Sequence, residues 1–183
     1  MPKIKQTQRR AIVRGPNHVA IVLFIEVGSE SILLGSDLEE TTDPLTGWSV
    51  IVASRARPQK RAQVFKIPHH GSVTAHNDDV WTLMVQDQAY AVMTPFIKGK
   101  VSLPTQTDLS RIKGRSAQTY VTSASKKTQP IKRSNEVQRT ISNTVRGTLT
   151  VRELPTGFVR LRRKFGPTGR WYVHMGENAL KVT

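Results

Sequence analysis

Asp37, His69 and His70 are the residues whose types and spacing point to chemistry. Asp37 ends the run Ser31-Ile32-Leu33-Leu34-Gly35-Ser36-Asp37, and the paired histidines follow Phe65-Lys66-Ile67-Pro68 further along the chain. In both runs an apolar stretch of strand character stops at a metal-competent side chain, which is how a sheet presents ligands at its edge. A carboxylate offers two oxygens to bridge divalent ions, and a neutral imidazole ligates zinc. Gly71 permits a close backbone approach behind the histidines, and Ser72 can cap the next element or contact an anion.

Other groups are weaker candidates. His76 lies near enough in sequence to fold over the same mouth, yet a surface position just ahead of a helix explains it. Glu39, Glu40 and Asp43 follow Asp37 closely, but an acidic turn is ordinarily solvated, and pairing with Arg55 or Arg57 is the expected use. His18 and His174 sit in apolar or aromatic strand contexts and read as structural. The absence of cysteine removes disulfides, thiolate metal sites and cysteine nucleophiles together, and fits a reducing, cytoplasmic setting.

The elements that must hold these groups read as α/β. His18 to Val27 is a nearly continuous apolar run, expected to form a strand covered on both faces. Gly28-Ser29-Glu30 turns it back into Ser31 to Gly35 as a hairpin partner. Leu38 to Pro58 is read as a loop followed by a short helix or apolar turn, and Val64 to Ile67 as a strand that Pro68 ends by removing a ladder donor. Asn77-Asp78-Asp79 starts a helix over Val80 to Val85. Ala89 to Thr94 and Gln118 to Ser123 are further strands, with a short helix beginning near Asp108. Strands alternating with helices imply α/β layering. Ser125 to Asn143 is polar and basic and reads as a loop. Thr148 to Arg152, Phe158 to Arg162 and Trp171 to His174 alternate at period two, as in a small antiparallel meander. A chain of 183 residues can bury its own core.

The two ligand-bearing runs resemble the second half of the metallo-β-lactamase fold, as found in hydrolase domains with a leucine-rich "GD" strand followed by "HHGS". The resemblance spans roughly residues 17 to 125 and implies half of an αββα sandwich over 1–125, and composition and period divide the rest into a basic loop or linker at 126–147 and a meander at 148–183 that completes or extends the same domain. In that family the first half contributes a His-x-His-x-Asp-His cluster. The five histidines here include no pair separated by a single residue, so that cluster is absent from this sequence. Matching to relatives that end in "His-x-Ser" makes His70 the ligand beside Asp37. His69 would orient it, donate to a substrate phosphate or protonate a leaving group. The resemblance further implies two zinc or manganese ions once the missing half is supplied, by a second protein chain or within a homo-oligomer, and a phosphodiesterase or nuclease activity of the completed site.

Charge points to a polyanionic partner. The net charge is +15, and residues 101–183 hold 16 Lys or Arg against 4 acids. Such a field attracts nucleic acid. The candidate contacts are Lys126, Lys127, Lys132 and Arg133 in the polar stretch and Arg160, Arg162, Arg163 and Lys164 in the tail, where edge-strand protection explains the charges equally well. A basic nucleic-acid-binding or scaffold subunit on a degenerate half-fold is therefore the alternative function. Met1 to Arg14 has no apolar core of the secretory kind, and Val19 to Val27, interrupted by Glu26, is too short to span a bilayer.

Overall fold

The computed structural model describes residues 15–43, 45–123, 129–131, 133–145, 152–153, 155, 157–164, 166 and 169–182. Strands β1 (Leu23–Val27) and β2 (Glu30–Leu34) form the expected hairpin, and helix α1 (Trp48–Ala53) lies between it and β3 (Ala62–Lys66). Helix α2 (Asp78–Leu83) leads into β4 (Val85–Met93), followed by the small β5 (Phe96–Lys98) and β6 (Val101–Leu103) hairpin, α3 (Gln106–Lys113) and β7 (Gln118–Val121). Beyond these come β8 (Gln129–Pro130), α4 (Asn135–Thr144), β9 (Arg152–Glu153), β10 (Phe158–Arg163), β11 (Trp171–Gly176) and β12 (Leu180–Lys181).

The protein is α/β, built on a six-stranded mixed sheet in the order β1-β2-β3-β4-β7-β12. Its centre, β2-β3-β4-β7, is parallel, and an antiparallel strand closes each edge. Register aligns Leu33, Phe65, Ala91 and Thr119 in one transverse row, and all four are buried. This row faces the helices. Trp48 of α1 and Trp81 of α2 both meet the Phe65 ring edge-on, at 6.5 and 5.0 Å between centroids, and Ile112 of α3 joins the same cluster. Edge-to-face pairs of this kind add about 1 kcal/mol each beyond the area they bury.

The opposite sheet face carries Ile32, Leu34, Val64, Tyr90, Val92 and Tyr120. The β10–β11 hairpin packs against part of it: Trp171 approaches Tyr90 at 6.4 Å, and Arg163 pairs with Glu30 at 2.6 Å. The expected covering of the first strand on both faces does not occur. Val19, Ile21, Leu23, Ile25 and Val27 are 54, 76, 51, 37 and 57 % exposed, while Ala20, Val22 and Phe24 pack toward the core. Only Leu23–Val27 of the first apolar run is strand, at the sheet edge with one face on the core and one exposed, while His18 and Val19 belong to a 3-10 turn.

Two further differences concern the C-terminal part. Within the stretch read as a loop, Asn135–Thr144 is helical, because Ser134 caps the Val137 amide and Glu136 lies in the first turn. Of the three strands read as a tail meander, residues 148–151 lie outside the described residues and Arg152 pairs with Pro130 of β8. β10 and β11 pair with each other, whereas β12 joins the main sheet beside β7, so this segment is integral to the sheet. No helix among the described residues is long and apolar enough to cross a membrane.

Candidate metal centre

Asp37 and His70 come together just past the C-terminal ends of the adjacent parallel strands β2 and β3. The Gly35 amide donates to the Lys66 carbonyl at 3.0 Å and the His69 amide to the Ser36 carbonyl at 3.0 Å, so the two strand ends are fastened to each other. A Cβ on Gly35 would lie 2.9 Å from that same Lys66 oxygen, which explains the glycine. The result places the His70 Nε2 atom 4.0 Å from the Asp37 carboxylate.

The backbone that presents the histidines is unusual. His69, His70 and Gly71 have successive φ values of 42, 56 and 82°, a left-handed run that costs on the order of 1 kcal/mol or more for each non-glycine residue. Surrounding bonds hold it. Gly71 donates to the Pro68 carbonyl at 2.9 Å and Ser72 to the His69 carbonyl at 3.0 Å. His70 Nδ1 meets the Thr94 carbonyl at the end of β4 at 2.8 Å, and its ring stacks on Phe96 at 5.0 Å. With Nδ1 protonated toward that carbonyl, the lone pair on Nε2 points at the Asp37 side, the arrangement that fixes a ligating imidazole.

His69 is engaged differently. Its Nδ1 faces the Glu39 carboxylate at 3.0 Å and the Thr74 hydroxyl at 3.1 Å, and its Nε2 lies 3.4 Å from the Asn17 amide. These contacts join three segments around the turn. Glu39 and Glu40, expected to pair with Arg55 or Arg57, bind elsewhere: Glu40 accepts from the Ser49 amide and from Asn77, and Arg57 donates to the carbonyls of Val52, Pro58 and Leu83.

Sequence reading missed Arg111. Its guanidinium donates to the Gly71 carbonyl at 2.7 Å, to Asp108 at 2.9 Å, and meets His76 Nδ1 at 2.8 Å. His76 Nε2 is held in turn by Asp78 at 2.9 Å. Burial pushes the His76 pKa down, the Asp78 bond opposes this, and the Arg111 charge adds to the lowering. Burial works against ionisation of Asp108, yet the hydrogen bonds from Thr105 and Arg111 hold its carboxyl below the ordinary aspartate value. The i,i+3 spacing of Asp108 and Arg111 was the only available signal, and it says nothing about a target forty residues earlier in the chain.

Lys66, one residue before the end of the same run, lies with Ile21, Leu23, Leu34, Ser36 and Asp37 around a shallow depression. Burial lowers its pKa and the Asp37 charge partly restores it. Of the basic candidates, Arg163 is turned inward to Glu30 and Trp171, whereas Arg160, Arg162 and Lys164 are exposed and Arg133 is half-buried ahead of α4. Lys126, Lys127 and Lys132 lie outside the described residues.

Asp37 and His70 are near enough to serve as two members of a donor set for a divalent cation, but 4.0 Å between their atoms opens the angle at an ion about 2.1 Å from each to roughly 145°, wider than the tetrahedral geometry zinc favours. These two residues do not complete the set. No group of three or more His, Asp or Glu suited to an ion occurs among the described residues. Comparison of the chain with protein-family models, curated proteins and solved structures finds no match.

Proposed function

We propose that this chain carries half of a metal-dependent hydrolase site of the metallo-β-lactamase kind, to be completed by a complementary segment that supplies the remaining ligands. The observation that carries this reading is the convergence of Asp37 and His70 at 4.0 Å, with His70 oriented by the Thr94 carbonyl. The left-handed turn at His69 and His70 sets the imidazole beside the carboxylate at the strand ends, a placement that serves ligation as well as a His–Asp ion pair.

The uncovered sheet face supports the same reading. Leu23, Ile25 and Val27 lie on the face away from the helices, and Leu23 with Ile21 lines the depression beside Asp37. A second layer packed there would cover apolar surface and bring its own side chains to the strand ends that hold Asp37 and His70. Such a layer would come from another polypeptide segment.

In the completed site Asp37 and His70 would hold zinc or manganese. The bound ions would supply a water of lowered pKa and polarise the scissile oxygen. His69, tied to Glu39, Thr74 and Asn17, would keep the turn in register, and Lys66 would place a positive charge beside Asp37 for an anionic substrate.

The test is metal content of the chain purified from its native host with whatever accompanies it, beside an Asp37→Ala, His70→Ala double variant. Close to two ions per complex and chelator-sensitive hydrolysis of bis(p-nitrophenyl) phosphate, both lost in the variant, are expected. Equal and negligible metal in both samples overturns the proposal.

A further inference from the structure

We propose that the outer face of the β10–β11 hairpin binds single-stranded nucleic acid, with Arg160 and Arg162 on phosphates and Tyr172 stacking a base. Residues paired across an antiparallel ladder share a face, so the register assigns every side chain. Arg160 lies opposite His174 and Arg162 opposite Tyr172, and all four are exposed. The alternate pairs, Leu161 with Val173 and Arg163 with Trp171, form the inner face that packs on the main sheet through Tyr90, Gln63 and Glu30.

The hairpin is therefore two-sided, and its outer side interleaves cations with rings. Phe158 stands at one end, where Arg160 covers its ring at 5.1 Å and His174 meets its edge at 5.2 Å. Tyr172, 61 % exposed, has no ring contact of that kind among the described residues and lies next to Arg162. Edge protection accounts for arginines on an outer strand face but not for aromatic rings placed beside them. Two cations beside an open ring suit a single strand, because phosphates take the charges and an unpaired base takes the ring face.

Arg163 illustrates the sorting. It belongs to the same Arg-Leu-Arg-Arg run, yet its guanidinium lies 2.6 Å from the Glu30 carboxylate and 6.0 Å from the Trp171 ring centre, where it fixes the hairpin to the sheet. Two arginines of the run are thus available to a ligand and one secures the platform. As the substrate class of the half-site the proposal rests on the preceding reading; as a binding surface it stands apart from it.

The experiment is fluorescence anisotropy of a labelled twelve-nucleotide oligothymidylate with the full chain over a range of salt concentrations. An Arg160→Ser, Arg162→Ser double variant is expected to lower the slope of log affinity against log salt by about 1.4, two single-strand phosphates' worth. Tyr172→Ala is expected to weaken binding at fixed salt about tenfold, and Tyr172→Phe to restore it. Binding by the native chain is expected to be the same with and without a chelator, so failure of the metal reading and failure of this one are distinguishable. Circular dichroism on each variant checks that the hairpin is folded. Wild-type affinity and slope in both hairpin variants overturn the proposal. So does binding confined to vesicles containing phosphatidylserine, or a duplex preference that Tyr172→Ala does not alter.

Discussion

Arg111 is the residue on which the geometry of the histidine turn depends most. Its guanidinium joins the Gly71 carbonyl, Asp108 and His76, and the Asp108 carboxylate is buried with it. Arg111→Met is expected to lower the unfolding free energy by about 2 to 4 kcal/mol, because it leaves a buried carboxylate without its partner. Chemical denaturation reads this directly. Arg111→Lys should recover only part of the loss, since an ammonium cannot reproduce the fixed fork that serves the Gly71 carbonyl, Asp108 and His76 together. The same cluster sets a pH dependence. Asp108 is held below its ordinary pKa in the fold, so the unfolded chain binds its proton first as pH falls. The stabilisation it gives is full above the ordinary aspartate value and is lost as pH drops toward the folded one. Denaturation midpoints should decline through that acid window in the native chain and decline less in Asp108→Asn. A steeper decline in the variant contradicts the assignment.

At the scale of elements, the strand ends and the turn between them decide where the ligands stand. Gly71 has φ 82°, and a Cβ there would lie 3.0 Å from both Ile112 and Met93. Gly71→Ala is expected to cost about 2 kcal/mol and to displace His70, read as a shifted imidazole resonance relative to the native chain. An unchanged melting curve with native histidine shifts would refute this. Helix α3 carries Arg111 toward the turn, and its start is fixed by a reciprocal cap between Thr105 and Asp108. Thr105→Ala should reduce stability by about 1 kcal/mol. Helix α4 shows what a polar composition can conceal. Ser134 caps it, and Val137, Ile141 and Val145 recur at intervals of four, a period visible in the sequence once the basic residues around it are set aside.

The molecule as a whole has one well-built side and one unfinished side. Between the sheet and α1, α2 and α3 lies a core with Trp48, Phe65, Met84 and Ile112 fully buried. On the other face the hairpin covers the region of Glu30 and Tyr90, while the first strand's outer residues meet solvent. An apolar edge strand is a template for association. An Ile21→Lys, Leu23→Lys double variant should therefore stay dispersed at concentrations where the native chain self-associates, with little change in its unfolding midpoint. Light scattering and denaturation together check this. Phe24→Ser, on the core side of the same strand, should instead unfold more easily by about 3 kcal/mol.

Local pattern alone determined the β1–β2 hairpin, the stop at Pro68, the Asn77 cap and the succession of strands and helices, because each rests on neighbours within a few residues. It also marked Asp37 and the His69-His70 pair, since an apolar run ending in a ligand-type residue is a local signature, whereas the preference for His70 rested on the resemblance. Which imidazole nitrogen faces Asp37, however, depends on the Thr94 carbonyl, and the turn depends on Arg111. Those partners come from β4 and α3, brought alongside only when the parallel strands pair. Exposure was likewise undecided by the run from Val19 to Val27, whose composition suits a strand covered twice. Its place at the sheet edge left one face open. The basic run from Arg160 to Arg163 could not be divided by composition either, and the pairing register with β11 turned two of its arginines outward and one onto Glu30. Sequence fixes what each segment prefers, and the pairing of distant strands decides which groups meet.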